Sequence, residues 1–142
     1  MYNCTTEGLY VNIVVDTSVI ISVVTNEKHK RSLVDITKGA DLSAPASLHW
    51  EMGNAFSAMF KRKKMTLGQA KRALRTYEAI AVRFLDVRLE EAVDLASKLN
   101  IYAYDAYVIQ CALAHRSPIL TLDRTLRRSA RRAGATVIEV EP

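Results

Sequence analysis

The sequence predicts an α/β fold in which a parallel sheet is covered by helices on both faces. Short apolar segments typical of strands alternate with segments whose apolar residues recur at the 3.6-residue period of a helix. Strands joined by helices form right-handed βαβ crossovers, which make the strands parallel. The 142 residues, 49% apolar and 25% charged, are enough for one domain with a sizeable core.

The first half of the chain is predicted to form two strands and three helices. The apolar run VNIVV at 11–15 is the first strand, and a short helix is expected to begin at 17–19. A polar helix over 27–38 turns Leu33 and Ile36 inward, and the strand DLSA at 41–44 ends before Pro45. A helix over 46–60 follows from apolar residues at the helical period: Leu48, Met52, Ala55, Phe56 and Met59.

The second half of the chain continues the alternation. Thr66 and Gln69 have the T-x-x-Q spacing of a capping box, which predicts the start of a helix. The inward residues of this helix are expected to be Leu67, Ala70, Leu74, Tyr77 and Ile80. The remaining predicted elements are strand 82–87, helix 89–99 ended by Asn100, helix 104–115, strand PILTL (118–122), a basic helix over 124–133 ended by Gly134, and a last strand TVIEV (136–140).

Composition and charge exclude several classes of protein. The longest apolar region, VNIVVDTSVIISVV, is interrupted by polar residues, so no membrane span is expected. Residues 1–10 lack the features of a signal peptide, which favours a cytoplasmic protein, and no other role is assigned to them. Cys4 and Cys111 lie far apart without the spacing of a metal site, which favours a reducing environment, although the two cysteines could still pair. The net charge of +5 is compatible with a polyanionic partner.

An aspartate interrupts the apolar run IVVDTSVI, where an unpaired carboxylate would be costly to bury. In a parallel sheet each strand ends at the carboxyl edge, and the next helix begins there. Asp16 follows the first strand and Asp123 follows PILTL, so both belong to that edge. Asp105, near the start of its helix, and Glu51, one turn into the helix after DLSA, belong there as well. Open α/β folds bind ligands at this edge.

Converging carboxylates repel one another and resist ionising together. A hard divalent cation removes that difficulty, because Mg²⁺ and Mn²⁺ prefer oxygen ligands, and no Cys/His cluster favours zinc. The sequence therefore predicts a Mg²⁺ (or Mn²⁺) site at the edge of the sheet. Its catalytic and metal-binding acids are Asp16, Glu51, Asp105 and Asp123, and the polar residues expected to support them are Ser18, Asn54 and Thr121.

Each acid also has a simpler interpretation. Asp16 and Asp123 could cap the helices that follow them, and Asp105 could interact favourably with the dipole of its helix. Glu51 could be an exposed helical residue, and the neighbouring hydroxyl groups could bond to local backbone. The coincidence of four acids at one edge favours the metal site over four independent local roles.

These acids, in their local contexts, resemble the PIN domain family. The segments VVDTSVI, PASLHWEMGNAF, YDAYVIQCALAH and PILTLDRTLRRSARRAGATVIEV carry the resemblance, which extends from Asn12 to Val140 and is greatest to VapC-type toxins of prokaryotic toxin–antitoxin pairs. It implies an α/β/α sandwich with a central parallel sheet of about five strands. The positions that match the family's acids, its adjacent Ser/Thr and its frequent Asn are Asp16, Glu51, Asp105, Asp123, Ser18 and Asn54.

The resemblance also implies an activity and partners. It implies a metal-dependent endoribonuclease that leaves a 5′-phosphate and a 3′-hydroxyl, in which Asp16 and Asp105 hold Mg²⁺ most directly. It further implies a homodimer and a cognate antitoxin whose C-terminal tail covers the acidic groove. Two alternatives stay open: a PIN-domain nuclease of RNA maturation or quality control, and a non-catalytic RNA- or protein-binding α/β module. A receiver-like phosphoacceptor is disfavoured because no adjacent acidic pair follows the first strand.

Five arginines share a broad face of the predicted basic helix: Arg124, Arg127, Arg128, Arg131 and Arg132. Because that helix begins beside Asp123, the first three are expected to hold RNA phosphate near the metal. For Arg131 and Arg132 the simpler interpretation is a solvated helix face. The simpler interpretation of KRKK at 61–64 is a cluster of charges at the end of a helix.

Aromatic residues near the acids have two interpretations each. His49 could serve as a proton shuttle, although an ordinary polar helical residue is the simpler choice. Tyr102, Tyr104 and Tyr107 could stack on bases, but Tyr104 and Tyr107 have the spacing of core or dimer contacts.

Overall fold

The computed structural model describes residues 10–140, and strands alternate with helices there as predicted. The expectations for Cys4 and the N-terminal segment fall on residues 1–9, outside this range. The elements are β1 Asn12–Val15, α1 Thr17–Val24, α2 Lys30–Thr37, β2 Asp41–Pro45, α3 Ser47–Lys61, α4 Leu67–Ala79, β3 Val82–Leu85, α5 Leu89–Leu99, α6 Ala103–Ala114, β4 Ile119–Leu120 and α7 Arg124–Arg132. None of the helices within residues 10–140 is both long and apolar enough to cross a bilayer.

The four strands form one parallel sheet in the order β3-β2-β1-β4, which confirms the predicted parallel α/β fold. β1 is central: Val14 lies opposite Ser43 of β2 on one side and opposite Ile119 of β4 on the other. Side chains of β1 alternate between the two faces. Ile13 and Val15 pack with residues of α1 to α4, whereas Val14 packs with residues of α6 and α7. The sheet is thus the middle layer of an α/β/α arrangement, with Asp16 at the end of its central strand.

The last two predicted strands are shorter in the structure. β4 covers Ile119 and Leu120 alone, because the next backbone N–H groups donate to side chains: Leu122 N to Ser18 Oγ (2.9 Å) and Asp123 N to Thr121 Oγ1 (3.0 Å). The segment TVIEV forms a single bridge, Val137 to Ile119, rather than a full strand. Because β4 has only two residues, the segment cannot form a longer series of hydrogen bonds with it. The chain turns away from the sheet early, and this turn places Asp123 at the rim.

Two details of the helix predictions are wrong. The polar helix begins at Lys30 rather than at residue 27, although Leu33 is fully buried as expected. Leu67 does not face inward: it is 60% exposed, because it lies in the first turn of α4, ahead of the part that contacts the core. The buried face of α4 consists of Ala70, Ala73 and Tyr77.

The capping box of α4 is present in full, and its removal should destabilise the protein measurably. Thr66 Oγ1 accepts a hydrogen bond from Gln69 N (3.1 Å), and Gln69 Oε1 accepts one from Thr66 N (2.9 Å). Thr66→Ala should therefore lower the free energy of unfolding by about 1 kcal/mol. Chemical denaturation measures the change. Thr76→Ala, at an exposed site within α4, is the matched control, and an equal loss in both variants would contradict the capping role.

Candidate active site

The carboxyl edge of the sheet carries four acids that come from four different parts of the chain. Asp16 directly follows β1, and Asp123 lies between β4 and α7. Glu51 lies in the second turn of α3, and Asp105 in the first turn of α6. Since β1, β2 and β4 are parallel neighbours, their ends bring these residues to one rim, called the acidic rim below.

Asp16 is the most deeply placed of the four acids. It is 9% exposed and occupies the N-cap position of α1, but its side chain makes no capping hydrogen bond. Its Oδ1 instead accepts a hydrogen bond from Ser18 Oγ at 2.6 Å. Capping of α1 is therefore not the main contact of the Asp16 side chain, and this buried carboxylate calls for a further explanation.

Hydroxyl groups join the two strand ends on which Asp16 and Asp123 lie. Ser18 Oγ is 3.3 Å from Thr121 Oγ1, and Thr121 is fully buried. Ser18 Oγ also accepts the Leu122 N–H, and Thr121 Oγ1 accepts the Asp123 N–H. From the sequence alone, Ser18 was expected to act on Asp16, and Thr121 on Asp123, because each lies two residues from its acid. The structure shows that both belong to one network that holds the two ends of β1 and β4 together.

The acids influence one another's ionisation. Burial raises the pKa of Asp16 to about 6; its Ser18 and Thr121 neighbours lower it in part, and the charge of Asp123 raises it further. Burial likewise raises the pKa of Glu51 to about 7, with smaller upward contributions from the charges of Asp16 and Asp105. The pKa of Asp105 is raised by burial and by Asp123. Burial is thus the main cause of each rise, and the charges of neighbouring acids of the rim add to it.

Sequence reasoning missed Ser47 as a member of the site. Ser47 lies one turn before Glu51 on α3, close enough to lower the Glu51 pKa in part. Its Oγ is buried and has no hydrogen-bond partner of standard geometry. A buried hydroxyl without a partner is a polar group available to a ligand or water at the rim. The signal was the i, i+4 spacing of a serine and a glutamate on a helix that begins at the sheet edge.

Asp123 caps a helix and also acts through its charge on other acids of the rim, while its metal-binding role stays a prediction. Its Oδ1 caps α7 by accepting hydrogen bonds from Thr125 N (2.8 Å) and Leu126 N (3.2 Å), while its charge acts on Asp16 and Asp105. Oδ2 takes no part in the cap. The cap holds the carboxylate in place at the rim, so the structural and the functional interpretations are compatible.

The donor set of the rim fits a hard divalent cation. All four acids and the three nearby hydroxyl groups offer oxygen, which Mg²⁺ and Mn²⁺ prefer. The ion pairs found within residues 10–140 are Arg88–Glu91 and Arg131–Glu139, so no basic side chain neutralises the rim there. The acids do not close around a single point as a cluster of three or more ligands in that range. A cation would favour the charged forms of Asp16, Glu51 and Asp105, whose pKa values are raised mainly by burial and in smaller part by neighbouring carboxylates.

Two residues expected to act with the acids make no hydrogen bond with them within residues 10–140. Asn54 is exposed, and its side chain makes no hydrogen bond with the rim in the described range, so its supporting role stays a prediction. His49 is directed away from a shuttle position: its Nδ1 lies 3.3 Å from the hydroxyl of Tyr77. The KRKK cluster ends α3 far from the rim and is fully exposed.

The arginines of α7 form a basic face next to Asp123. Leu126 and Ala130 are buried on the inner side of the helix, and the five arginines line one open cavity on the outer side: Arg124, Arg127, Arg128, Arg131 and Arg132. Arg131 pairs with Glu139. The Nε of Arg127 is buried and has no hydrogen-bond partner. This arginine face has the charge and the unused donors that a phosphate chain requires.

Exposed aromatic side chains flank the rim. Trp50 and Phe84 lie on α3 and β3, and Tyr102 and Tyr104 at the start of α6 are 88% and 56% exposed. Tyr104 and Tyr107 pack edge to face at 5.7 Å. The two exposed tyrosines are therefore not core residues.

A parallel α/β/α fold with an acidic rim and an adjoining basic face defines the class of the protein, and comparisons give its family. The PIN domain family model matches residues 13–132. The chain therefore belongs to the PIN domain family, whose members are generally nucleases that use divalent metal ions. A search of curated proteins gave no significant match.

Solved structures share the fold at low sequence identity. PAE2754 from Pyrobaculum aerophilum superposes with a TM-score of 0.65 at 19% identity, covering 89% of this chain and 90% of its own. VapBC2 from Rickettsia felis, solved bound to a DNA fragment from its promoter, gives 0.67 at 11% identity and 92% and 99% coverage. VapC20 from Mycobacterium tuberculosis, a toxin that cleaves the sarcin-ricin loop, gives 0.61 at 15% and 92% and 99%.

Proposed function

We propose that this protein is a divalent-metal-dependent endoribonuclease and the toxin of a VapBC-type toxin–antitoxin pair. One observation carries the nuclease proposal: four carboxylates from four separate elements influence one another's ionisation at the rim, and none of them pairs with a basic side chain within residues 10–140. The structural similarity to VapC20, which cleaves RNA, and to the VapBC2 complex supports the toxin assignment.

The proposed roles follow from burial and charge. Asp16 and Asp105 hold Mg²⁺ or Mn²⁺, and Asp123 acts directly or through water. The bound ion would supply positive charge that acidifies water and stabilises the phosphate undergoing attack. Ser18 orients the Asp16 carboxylate through its 2.6 Å hydrogen bond. Arg124, Arg127 and Arg128 hold the phosphates beside the reacting one.

Glu51 has the properties of a general base. It is partly exposed, and burial raises its pKa to about 7 in the metal-free protein, above the value of about 6 for Asp16, so it is better suited than Asp16 to take up a proton. A water oxygen attacks phosphorus, its proton passes to Glu51, and the bond from phosphorus to the 3′ oxygen breaks. The proton then returns to that oxygen. The products are a 5′-phosphate and a 3′-hydroxyl, and no further reactant is needed.

The nuclease proposal is tested with the full-length chain and end-labelled RNA. Cleavage should require Mg²⁺ or Mn²⁺, stop with EDTA, and fall by at least ~100-fold in Asp105→Asn, because an amide supplies one fewer anionic ligand. Asp94→Asn, on the exposed side of α5, is the control and should cleave as the wild type does. Equal cleavage by wild type and Asp105→Asn would contradict the proposed site.

The toxin assignment requires separate tests. A cognate antitoxin, expected from a small neighbouring gene for a DNA-binding protein, should form a complex with this chain and suppress cleavage in proportion to its concentration. The homodimer that we also propose should appear as twice the 142-residue mass in light scattering. A nuclease that no such partner inhibits would belong instead to RNA maturation or quality control.

A further inference from the structure

An exposed aromatic patch lies beside the acidic rim. It consists of Trp50 and His49 in the first turn of α3 and Phe84 at the end of the edge strand β3. Trp50 is 75% exposed and Phe84 is 45% exposed. The His49 ring packs edge to face against both, with centroids at 5.0 Å and 6.1 Å, and its Nδ1 lies 3.3 Å from the Tyr77 hydroxyl. The buried Tyr77 thus contacts the inner side of the patch, and the outer side is exposed to solvent.

This exposure is unusual for the side chains concerned. Tryptophan and phenylalanine carry the largest apolar surfaces of all residues, and folded proteins bury most of that surface. A cluster of exposed aromatic residues beside a binding site therefore indicates a contact surface. Trp50 immediately precedes Glu51 on α3, so the patch and this acid of the rim are carried by the same end of one helix.

The sheet order arranges three kinds of surface in a line along the carboxyl edge. In the order β3-β2-β1-β4, Phe84 of the patch lies on β3, Trp50 and Glu51 lie on α3 directly after β2, Asp16 follows β1, and Asp123 follows β4. The arginine face of α7 begins directly after Asp123. The edge thus runs from aromatic through acidic to basic, which matches a base, a metal-bound reacting phosphate and further phosphates of one strand.

We propose that the aromatic patch stacks an unpaired base of the RNA, with Trp50 as the main stacking residue. This inference rests on the proposed nuclease function and adds the requirement for a single-stranded segment. In a duplex each base is paired and stacked on its neighbours, so none can lie on the indole. Stacking on aromatic faces is tolerant of base identity, so the patch would position the strand without reading its sequence.

Trp50 is the only tryptophan of the chain, so its fluorescence reports directly on the patch. The experiment uses Asp16→Asn, which is expected to bind RNA without cleaving it, and titrates it with one RNA in unpaired form and in a blunt duplex. The unpaired RNA should quench the emission saturably, and the duplex should not. Quenching that depends on protein concentration instead of RNA would identify a contact between two copies and overturn the proposal.

Affinity measurements on labelled RNA in the same Asp16→Asn background provide the second readout. Trp50→Ala should weaken binding of unpaired RNA by roughly 10-fold, because alanine has no aromatic face on which a base can stack. Trp50→Phe keeps such a face and should largely restore the affinity. Phe60→Ala, at the opposite end of α3 and 37% exposed, is the matched control and should bind normally. Since Trp50 is exposed, thermal unfolding should be unchanged in both Trp50 variants.

The outcomes separate this proposal from the nuclease proposal. If wild-type protein cleaves RNA in Mg²⁺ while Trp50→Ala binds as tightly as the parent, the stacking role is wrong and the nuclease function stands. If the wild-type protein neither binds nor cleaves RNA, both proposals fail.

Discussion

Replacing Asp16 with Asn is expected to abolish RNA cleavage and, at neutral pH, to stabilise the metal-free protein. The loss of activity should reach roughly 1,000-fold, because the substitution removes an anionic ligand at the centre of the rim. The gain in stability follows from burial. Asp16 is 9% exposed, its charged form is disfavoured there, and the neutral amide can still accept the hydrogen bond from Ser18.

The pH dependence of this stabilisation has a definite sign. The pKa of Asp16 rises from 3.8 to about 6 on folding, so the folded state binds the proton more tightly than the unfolded state. The contribution of Asp16 is therefore most favourable below pH 4 and is lost as the pH rises through 6. The difference of about two pKa units corresponds to about 3 kcal/mol as an upper value. Asp16→Asn should match the wild type at pH 4 and exceed it by up to that amount above pH 7.

Metal should reverse the order of stability. A cation that binds only the folded wild type raises its free energy of unfolding by RT ln(1 + [metal]/Kd), which is about 4.1 kcal/mol at 1,000 times Kd and exceeds the deficit at pH 8. Asp16→Asn should gain little. Denaturation curves at pH 4 and pH 8, with and without Mg²⁺, measure all four cases, with Asp94→Asn as the control. A wild-type protein that is more stable than Asp16→Asn at pH 8 without metal would contradict this account of the rim.

Removing the charge of three arginines on α7 should give the largest change in RNA affinity. The variant Arg124→Gln, Arg127→Gln, Arg128→Gln eliminates the proposed phosphate contacts next to Asp123. Each contact with single-stranded nucleic acid contributes about 0.7 to the slope of log K against log salt. The slope should therefore become shallower by about 2, and affinity near 0.1 M salt should fall by roughly 100-fold.

Binding is measured in the Asp16→Asn background over a range of salt concentrations. The control changes three exposed basic residues of α4 to Gln: Lys71, Arg72 and Arg75. This control alters net charge equally, so it separates a local contact from a general effect of charge. The same loss in both triple variants would show that the arginine face is not a specific phosphate site.

The repeating pattern of the chain was sufficient to predict most of the fold. Apolar period and capping residues located every helix to within a few residues, and the capping box at Thr66 and the stop at Gly134 are both present, the latter with a φ of +87°. These features are local, since they depend on residues a few positions apart. The shortened β4 was not predictable in this way. Its end depends on Ser18, which lies more than 100 residues away and accepts the Leu122 N–H.

For the candidate site too, local features could be predicted from the sequence and long-range contacts could not. The positions of the four acids relative to their strands and helices followed from the sequence, because parallel topology sends every strand end to one edge. Ser47 was not predicted, and Ser18 and Thr121 were predicted without the contact between them. No feature of the neighbouring sequence shows that these hydroxyl groups are buried at the same edge of the sheet. The exposed aromatic patch was also missed, because Trp50 and Phe84 are large apolar residues, which are ordinarily expected in the core rather than at the surface.

The sequence by itself determined that acids stand where strands end, that helices cover both faces of a parallel sheet, and that one helix carries five arginines. These are properties of spacing along the chain. The tertiary structure alone decided the order of surfaces along the rim and the electrostatic coupling of its acids. Both depend on the strand order β3-β2-β1-β4 and on desolvation, which arise only when segments far apart in the sequence pack together.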